Sequence, residues 1–301
     1  MALSLPPVHL DITTDSTDRA NQHWTAESYL KSWRDPATPQ GAYLWVSPKD
    51  RSSSPVRRSP KRIFTSRDMN TMHKEGQRNL RLESLYHTIE TDFGNVKDKI
   101  VSGRQPVESD LQAVVTFVAA QLTRTPKFRG SGRFAPDGDH ESQLATITDP
   151  LERAAVGRTL ANIVANSSQI LCFAALPEAL RLLGQMRMRL YKTVADTMFI
   201  TSDSPCCVVE YRDSVASVFE CLDSSTSNVL MPLCPRVVAI FDHSSAPDEM
   251  TELLPNHPIV HEINAMIWHG AVEQVVLPDR MVRPEWFSDR MTEKLAQYAV
   301  L

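Results

Sequence analysis

Residues Asn79–Ile100 read NLRLESLYHTIETDFGNVKDKI, and their apolar spacing decides the fold. At about 3.6 residues per turn, Leu82, Leu85, Ile89, Phe93, Val96 and Ile100 fall on one stripe, with Tyr86 beside it. The pattern predicts a helix from about Glu75 to Ile100, stopped near Ser102-Gly103. Glu83, His87 and Glu90, at i, i+4 and i+7, line up roughly 80–140° round the helix from that stripe. Two carboxylates and an imidazole on the shoulder of a buried face either wall a site or form a solvated edge beside the core.

Pro106 opens a second helix, Val107–Thr125, closed by Pro126. Leu111, Val114, Val115, Val118 and Leu122 form one stripe and Ala113, Phe117 and Ala120 another, so this helix is apolar nearly all round. Its last turn carries Gln121 and Arg124, neighbours at i, i+3. That arginine either satisfies terminal carbonyls or holds an anion. Helices are also expected at Trp24–Trp33, Thr146–Ala165, Ser167–Leu183, Val260–Gly270 and Pro284–Ala299. Extended runs occur at Ala42–Ser47, Arg62–Thr65, Met186–Tyr191, Ala195–Thr201, Cys206–Tyr211, Ser217–Cys221, Asn228–Pro232, Val237–Phe241 and Val275–Leu277. Arg62–Thr65 is read as the hairpin partner of Ala42–Ser47. Helices dominate the first two thirds, and strands read as antiparallel cluster at 186–242, without regular alternation. That order indicates α+β, with a central helical hairpin of residues 75–125 packed on a small sheet.

Residues 1–20 are polar and are read as a loose arm, followed by a single domain over 21–301. At 42% hydrophobic and 23% charged residues, the composition is that of an ordinary globular protein. A net charge of -4 gives no global attraction to nucleic acid or anionic membrane, so such contacts need a local patch. The basic segment Arg51–Arg62 is the candidate patch, although without interleaved aromatics it also fits a solvated loop. Ten glycines, with no GxxxxGK[ST] or GxGxxG, argue against phosphate-cradling loops. Five irregularly spaced cysteines are not a disulfide framework and fit reduced thiols in a cytoplasmic protein. No membrane span and no secretory signal are evident.

The segment Gln22–Trp33, QHWTAESYLKSW, resembles the N-terminal signature of the DUF4238 family, a Gln-His-aromatic-Val-Pro-Gln-x-Tyr-Leu-x-x-Phe string. Gln22, His23, Trp24, Tyr29, Leu30 and Trp33 match it, whereas Thr25-Ala26-Glu27 departs. The similarity continues at Glu83 and Glu90 of LESLYHTIE, at Gln121, Arg124 and Pro126 of FVAAQLTRTPKFR, and at Thr201, Ser202, Asp203 and Pro205 of FITSDSPCCVV. MPLCP and HEINAMIWHGAVEQVV, with Asn264, complete it. The family is named for having no assigned function, so the resemblance implies which polar residues belong together: His23, Glu83, Glu90, Gln121, Arg124, Asp203 and Asn264.

Two readings of that set follow. In the first, His23, Glu83, Glu90 and Asp203 are catalytic, and Glu83, Glu90 and Asp203 hold Mg²⁺, Mn²⁺ or Fe²⁺. Gln121, Arg124 and Asn264 then bind substrate, and a metal-activated water attacks a phosphodiester or other anionic substrate. The protein would be a metal-dependent hydrolase, conceivably a nuclease, guided to its polyanion by Arg51–Arg62. In the second, the same residues form a buried polar network and the protein is a ligand-binding or regulatory module. His257 with His261, Cys206, and the Asp137, Asp139, His140, Glu141 cluster are weaker signals that neither reading uses.

Overall fold

The computed structural model describes residues 21–74, 77–130, 144–194, 197–210, 218–245, 250–255 and 257–300. The expected N-terminal arm and the Asp137–Glu141 cluster lie outside them. Strand β1 (Asn21–His23) leads into α1 (Glu27–Leu30), which a 3-10 turn extends to Trp33. Strands β2 (Leu44–Pro48) and β3 (Val56–Arg58) form a hairpin, and β4 (Thr65–Arg67) returns to pair with β1. A second hairpin, β5 (Met72–Lys74) and β6 (Gln77–Asn79), precedes the helices. These are α2 (Arg81–Val101), α3 (Glu108–Arg124), the single turn α4 (Pro126–Arg129), α5 (Pro150–Ala165) and α6 (Ser167–Leu183).

The second half supplies β7 (Arg187–Thr193), β8 (Thr201–Ser202), β9 (Cys207–Glu210) and the short α7 (Val218–Leu222). It continues with β10 (Asn228–Cys234), β11 (Val237–Asp242), β12 (Met250–Leu253), α8 (Pro258–Gly270) and β13 (Gln274–Leu277). A 3-10 turn at Pro284–Phe287, α9 (Asp289–Leu295) and β14 (Ala299–Val300) finish it. The protein is α+β.

Six strands make the larger sheet, in the order β12-β7-β11-β10-β9-β14, antiparallel except where β12 runs parallel to β7. Period-two alternation divides its side chains between two cores. Val229, Met231, Val237, Ala239 and Phe241 face the core built by α2, α3 and α6, while Leu230, Val238 and Ile240 face the core built with α8. The second sheet, β3-β2-β13-β8, sends Val275 and Leu277 into that same α8 core. Adjacent Cys206 and Cys207 point to opposite cores. All five cysteines are buried and unbridged.

Local chemistry sets the helix limits. The stripe of α2 begins at Leu82 because Glu75–Asn79 contains no apolar residue, and Gln77–Asn79, expected in the first turn, is instead strand β6. Asn79 accepts the Arg81 backbone N–H at 3.0 Å and so caps α2. Gly103, at φ +79°, ends the segment in the left-handed region that a side chain resists. Phe93 of α2 stacks on Phe117 of α3 with ring centroids 3.8 Å apart. Asp110 caps α3 by accepting the Val107 N–H and also takes the Lys99 ammonium at 2.7 Å, which ties the two helices together.

Several local expectations are corrected. The partner of β2 is β3, not Arg62–Thr65, and the chain from Thr65 pairs with β1. Residues 197–200 join no ladder; the Phe199 N–H goes to the Pro235 carbonyl at 2.8 Å, and side chains take the Met198 and Phe199 carbonyls and the Ile200 N–H. Val218–Leu222 is helical rather than a strand, burying the consecutive pair Cys221 and Leu222. The expected last helix is a 3-10 turn and a shorter α9, with Ser288 capping the latter through the Met291 N–H. Helix α5 buries none of its residues, and Leu151 on it is 81% exposed. Among the described residues no single helix is long and apolar enough to cross a membrane; α5 and α6 reach that length only as a pair bent by 72°.

Candidate functional site

Five of the seven expected polar residues gather along the seam between α2, α3 and the segment Asn21–Asn79. The 3.6-residue period carries Glu83, Tyr86 and Glu90 up one side of α2, and Gln121 and Arg124 face them from the last turn of α3. Arg124 is 1% exposed and all three of its guanidinium nitrogens are engaged. Nη1 donates to Glu90 Oε1 at 2.7 Å, and with the Gln121 amide turned so that its oxygen faces the guanidinium, the orientation its surroundings require, Nη2 and Nε donate to that oxygen at 2.5 and 3.1 Å. The guanidinium also lies 5.0 Å from the Tyr86 ring centroid.

The seam extends through residues that spacing alone does not single out. Arg129, one turn beyond Arg124, donates to the Arg124 carbonyl at 3.1 Å, to the Met69 carbonyl at 2.7 Å and to Asn70 Oδ1 at 2.8 Å. Asn70 in turn donates to Glu83 Oε2 at 2.9 Å, and its backbone N–H goes to Gln22 Oε1 at 2.6 Å. Gln22 therefore joins the first matched segment to the same network. Asn70 and Arg129 were legible only as polar residues near Pro126 and before α2. Their convergence depends on the turn at Asp68–Thr71.

His23 lies at the edge of this network. Its Nε2 donates to the Pro60 carbonyl at 3.1 Å, which fixes the neutral ring with Nδ1 as the acceptor. Burial pushes its pKa below the usual imidazole value, while the Glu27 and Glu90 carboxylates pull it up and Arg124 pushes it further down. Tyr86 has the opposite shift for the same reason: burial raises its phenol, and the hydroxyl is buried with no hydrogen-bond partner. His87, expected to point furthest from the stripe, is exposed.

Asp203 and Asn264 have different surroundings. Sequence reading places Asp203 among metal ligands, but its Oδ1 accepts the Val272 N–H at 2.8 Å and its Oδ2 accepts those of Glu273 and Gln274 at 2.7 and 2.9 Å. The carboxylate thus shapes the entry to β13. Burial pushes this carboxyl up, against the three amides that pull it down. Asn264, expected to bind substrate, accepts the Ile200 N–H at 3.0 Å and donates to the Met198 carbonyl at 2.9 Å. It acts as a surrogate strand partner for the extended run before β8.

The aromatic signature serves the other side of the same run. Trp33 Nε1 donates to the Phe199 carbonyl at 3.0 Å, Tyr29 bonds the Thr201 hydroxyl at 2.6 Å, and Trp24 Nε1 donates to the Asp203 carbonyl at 3.1 Å. Trp24, Tyr29 and Trp33 thus hold the chain at residues 199, 201 and 203, on either side of and within the short strand β8. Nearby, Lys49 and Lys127 donate to the carbonyls of His269, Gly270 and Ala271, which closes the C-terminus of α8.

A family model described as a protein of unknown function, DUF4238, matches residues 21–280. The chain belongs to the DUF4238 family. No curated protein and no solved structure matches it. Within this DUF4238 chain, the expected metal set of Glu83, Glu90 and Asp203 is not assembled. Among the described residues no three His, Cys, Asp or Glu side chains come together in a group able to hold a metal ion. The donor chemistry shows why: Glu90 neutralises Arg124, Glu83 receives Asn70, and Asp203 is taken by backbone amides.

Proposed function

We propose that this DUF4238 chain is a non-enzymatic binding or regulatory module whose matched polar residues hold its layers together. The observation that carries this reading is the Asp203 carboxylate, whose two oxygens accept three backbone amides and so spend most of their acceptor capacity on shaping the chain at residues 272–274. Arg124 supports it, because every guanidinium nitrogen already has a partner inside the fold. In this reading α2 and α3 form the central hairpin of the helical layer, and the Arg124–Glu90 pair fixes its register. The hydrolase reading needs carboxylate oxygens around one cation at about 2.0–2.6 Å, and the residues present do not fit that demand. We derive no step through a metal.

Thermal unfolding with Mg²⁺, Mn²⁺ and Fe²⁺ tests the proposal. The expected outcome is an unchanged Tm for the parent chain and a lowered Tm for Asp203→Asn with or without metal. A metal-dependent rise in Tm that disappears in both Glu83→Gln and Glu90→Gln would overturn it. One observation favours a polyanion as the partner: Arg58, Lys61 and Arg62 are exposed, whereas Arg57 is paired with Asp35 and Arg51 lies over Phe287. Binding of a single-stranded oligonucleotide that weakens with salt and is lost in the triple glutamate variant of those three residues would support this; salt-independent binding would not.

A further inference from the structure

A cavity of about 330 Å³ opens between the N-terminal half of α8 and the loop that follows β13. It contributes to neither reading of the seam, although Asn264 borders it. Its walls combine both signs of charge, with Arg283 beside Asp279 and Glu285. Arg283 is aimed by Asp279, which accepts its Nη2 at 2.8 Å through Oδ2 and the Met281 backbone N–H at 2.7 Å through Oδ1. Asp279 is therefore occupied, while the guanidinium of Arg283, about one third exposed, keeps N–H groups for a further acceptor. Glu285 stands exposed at the rim.

Two polar atoms of the lining residues, His261 Nδ1 and Trp286 Nε1, have no hydrogen-bond partner and lie beneath the cavity surface, sealed from solvent. Trp286 is 5% exposed, and its ring packs against Trp268 and Phe287, so its position is set by the core rather than by the cavity. An indole N–H can only donate, and leaving it unmade in a buried place is unfavourable. The arginine fork suits a carboxylate, and the imidazole of His261 and the indole of Trp286 line the same space. Glu285, at the rim, suits an ammonium group. The volume is at the small end of ligand cavities and suits a molecule of roughly ten heavy atoms.

We propose that this cavity binds a small zwitterion, an amino acid or related amino-carboxylate, with its carboxylate on Arg283 and near Trp286 and His261 and its ammonium group on Glu285. The proposal names a ligand for the module and rests on the non-enzymatic reading. The two fail separately, because seam variants change stability and cavity variants change affinity.

Calorimetric titration of the full chain with the proteinogenic L-amino acids, one at a time at about 1 mM, tests it. At least one is expected to bind, with affinity reduced about tenfold or more in Arg283→Ala and several-fold in Glu285→Gln. Both side chains are solvent-accessible, so ligand-free Tm should stay at the parent value, which separates lost binding from lost folding. Propionate, which keeps the carboxylate and lacks the amine of alanine, should bind no better to the parent than to Glu285→Gln. Absence of heat with every amino acid, or binding indifferent to Arg283→Ala, would overturn the proposal.

Discussion

Replacing Glu90 with glutamine removes the charge opposite Arg124 while keeping nearly the same shape. Arg124 is 1% exposed, so its cation would remain buried without a counter-charge. Breaking a buried pair from one side costs about 3–5 kcal/mol. The Glu90 side chain is 20% exposed, and Gln121 and the Tyr86 ring still face the guanidinium, so the lower end, about 3 kcal/mol, applies. With a urea m-value of about 3 kcal/mol/M for a chain of this size, the unfolding midpoint should fall by about 1 M. Replacing the whole group, Glu90→Gln with Gln121→Leu and Arg124→Met, should bring stability back to within about 1 kcal/mol of the parent. Equilibrium urea unfolding followed by tryptophan fluorescence reads both numbers. If Glu90→Gln alone lies within about 0.5 kcal/mol of the parent, the seam is not holding a buried charge and the packing argument fails.

Tyr86→Phe should be neutral or stabilising by up to about 1 kcal/mol, since it removes a buried hydroxyl that has no partner; a loss above about 1.5 kcal/mol in the same assay would reveal one. Tyr29→Phe should cost about 1–2 kcal/mol, because the hydroxyl donates to the buried Pro232 carbonyl at 2.7 Å, and an unchanged unfolding midpoint would contradict that role. His23 should titrate below 6.5 by NMR. Its folded pKa is lowered, so the unfolded chain binds the proton more tightly, and the stability contributed is full above pH 6.5 and is lost as pH falls through the lowered value. A His23→Gln variant should therefore lose less stability than the parent on acidification through that window, and parallel pH profiles would refute the assignment.

Sequence periodicity revealed most of the layers but not their seams. The stripe of α2, the all-round apolar character of α3 and the alternation of β10 and β11 follow from side-chain spacing, and the observed elements fall where that spacing puts them. The short polar stretches were harder. Residues 72–79 have too little apolar pattern to distinguish a hairpin from a first helical turn, and the run 197–200 takes its partners from side chains as far away in sequence as Trp33 and Asn264. The same limit governs the candidate site. The matched residues do converge in part, with Glu83, Glu90, Gln121, Arg124 and His23 along one seam. Spacing could not show that Asp203 turns its carboxylate towards residues 272–274, because that depends on where β13 lies beside β8.

The buried thiols give this fold a built-in record of how it comes apart. Cys206 and Cys207 are neighbours in the chain but lie in separate cores, one facing the helices and one facing α8. Burial pushes the Cys207 thiol up to about 12 and the Cys206 thiol well above its ordinary value, so neither reacts while its core stays closed. A thiol reagent applied under native conditions therefore records opening events rather than surface chemistry. In a chain whose other three cysteines are replaced by alanine, fragment mass analysis that locates the label on Cys206 or Cys207 would then say which side of the central sheet separates first. If the two sites always label together, the layers open as one cooperative unit.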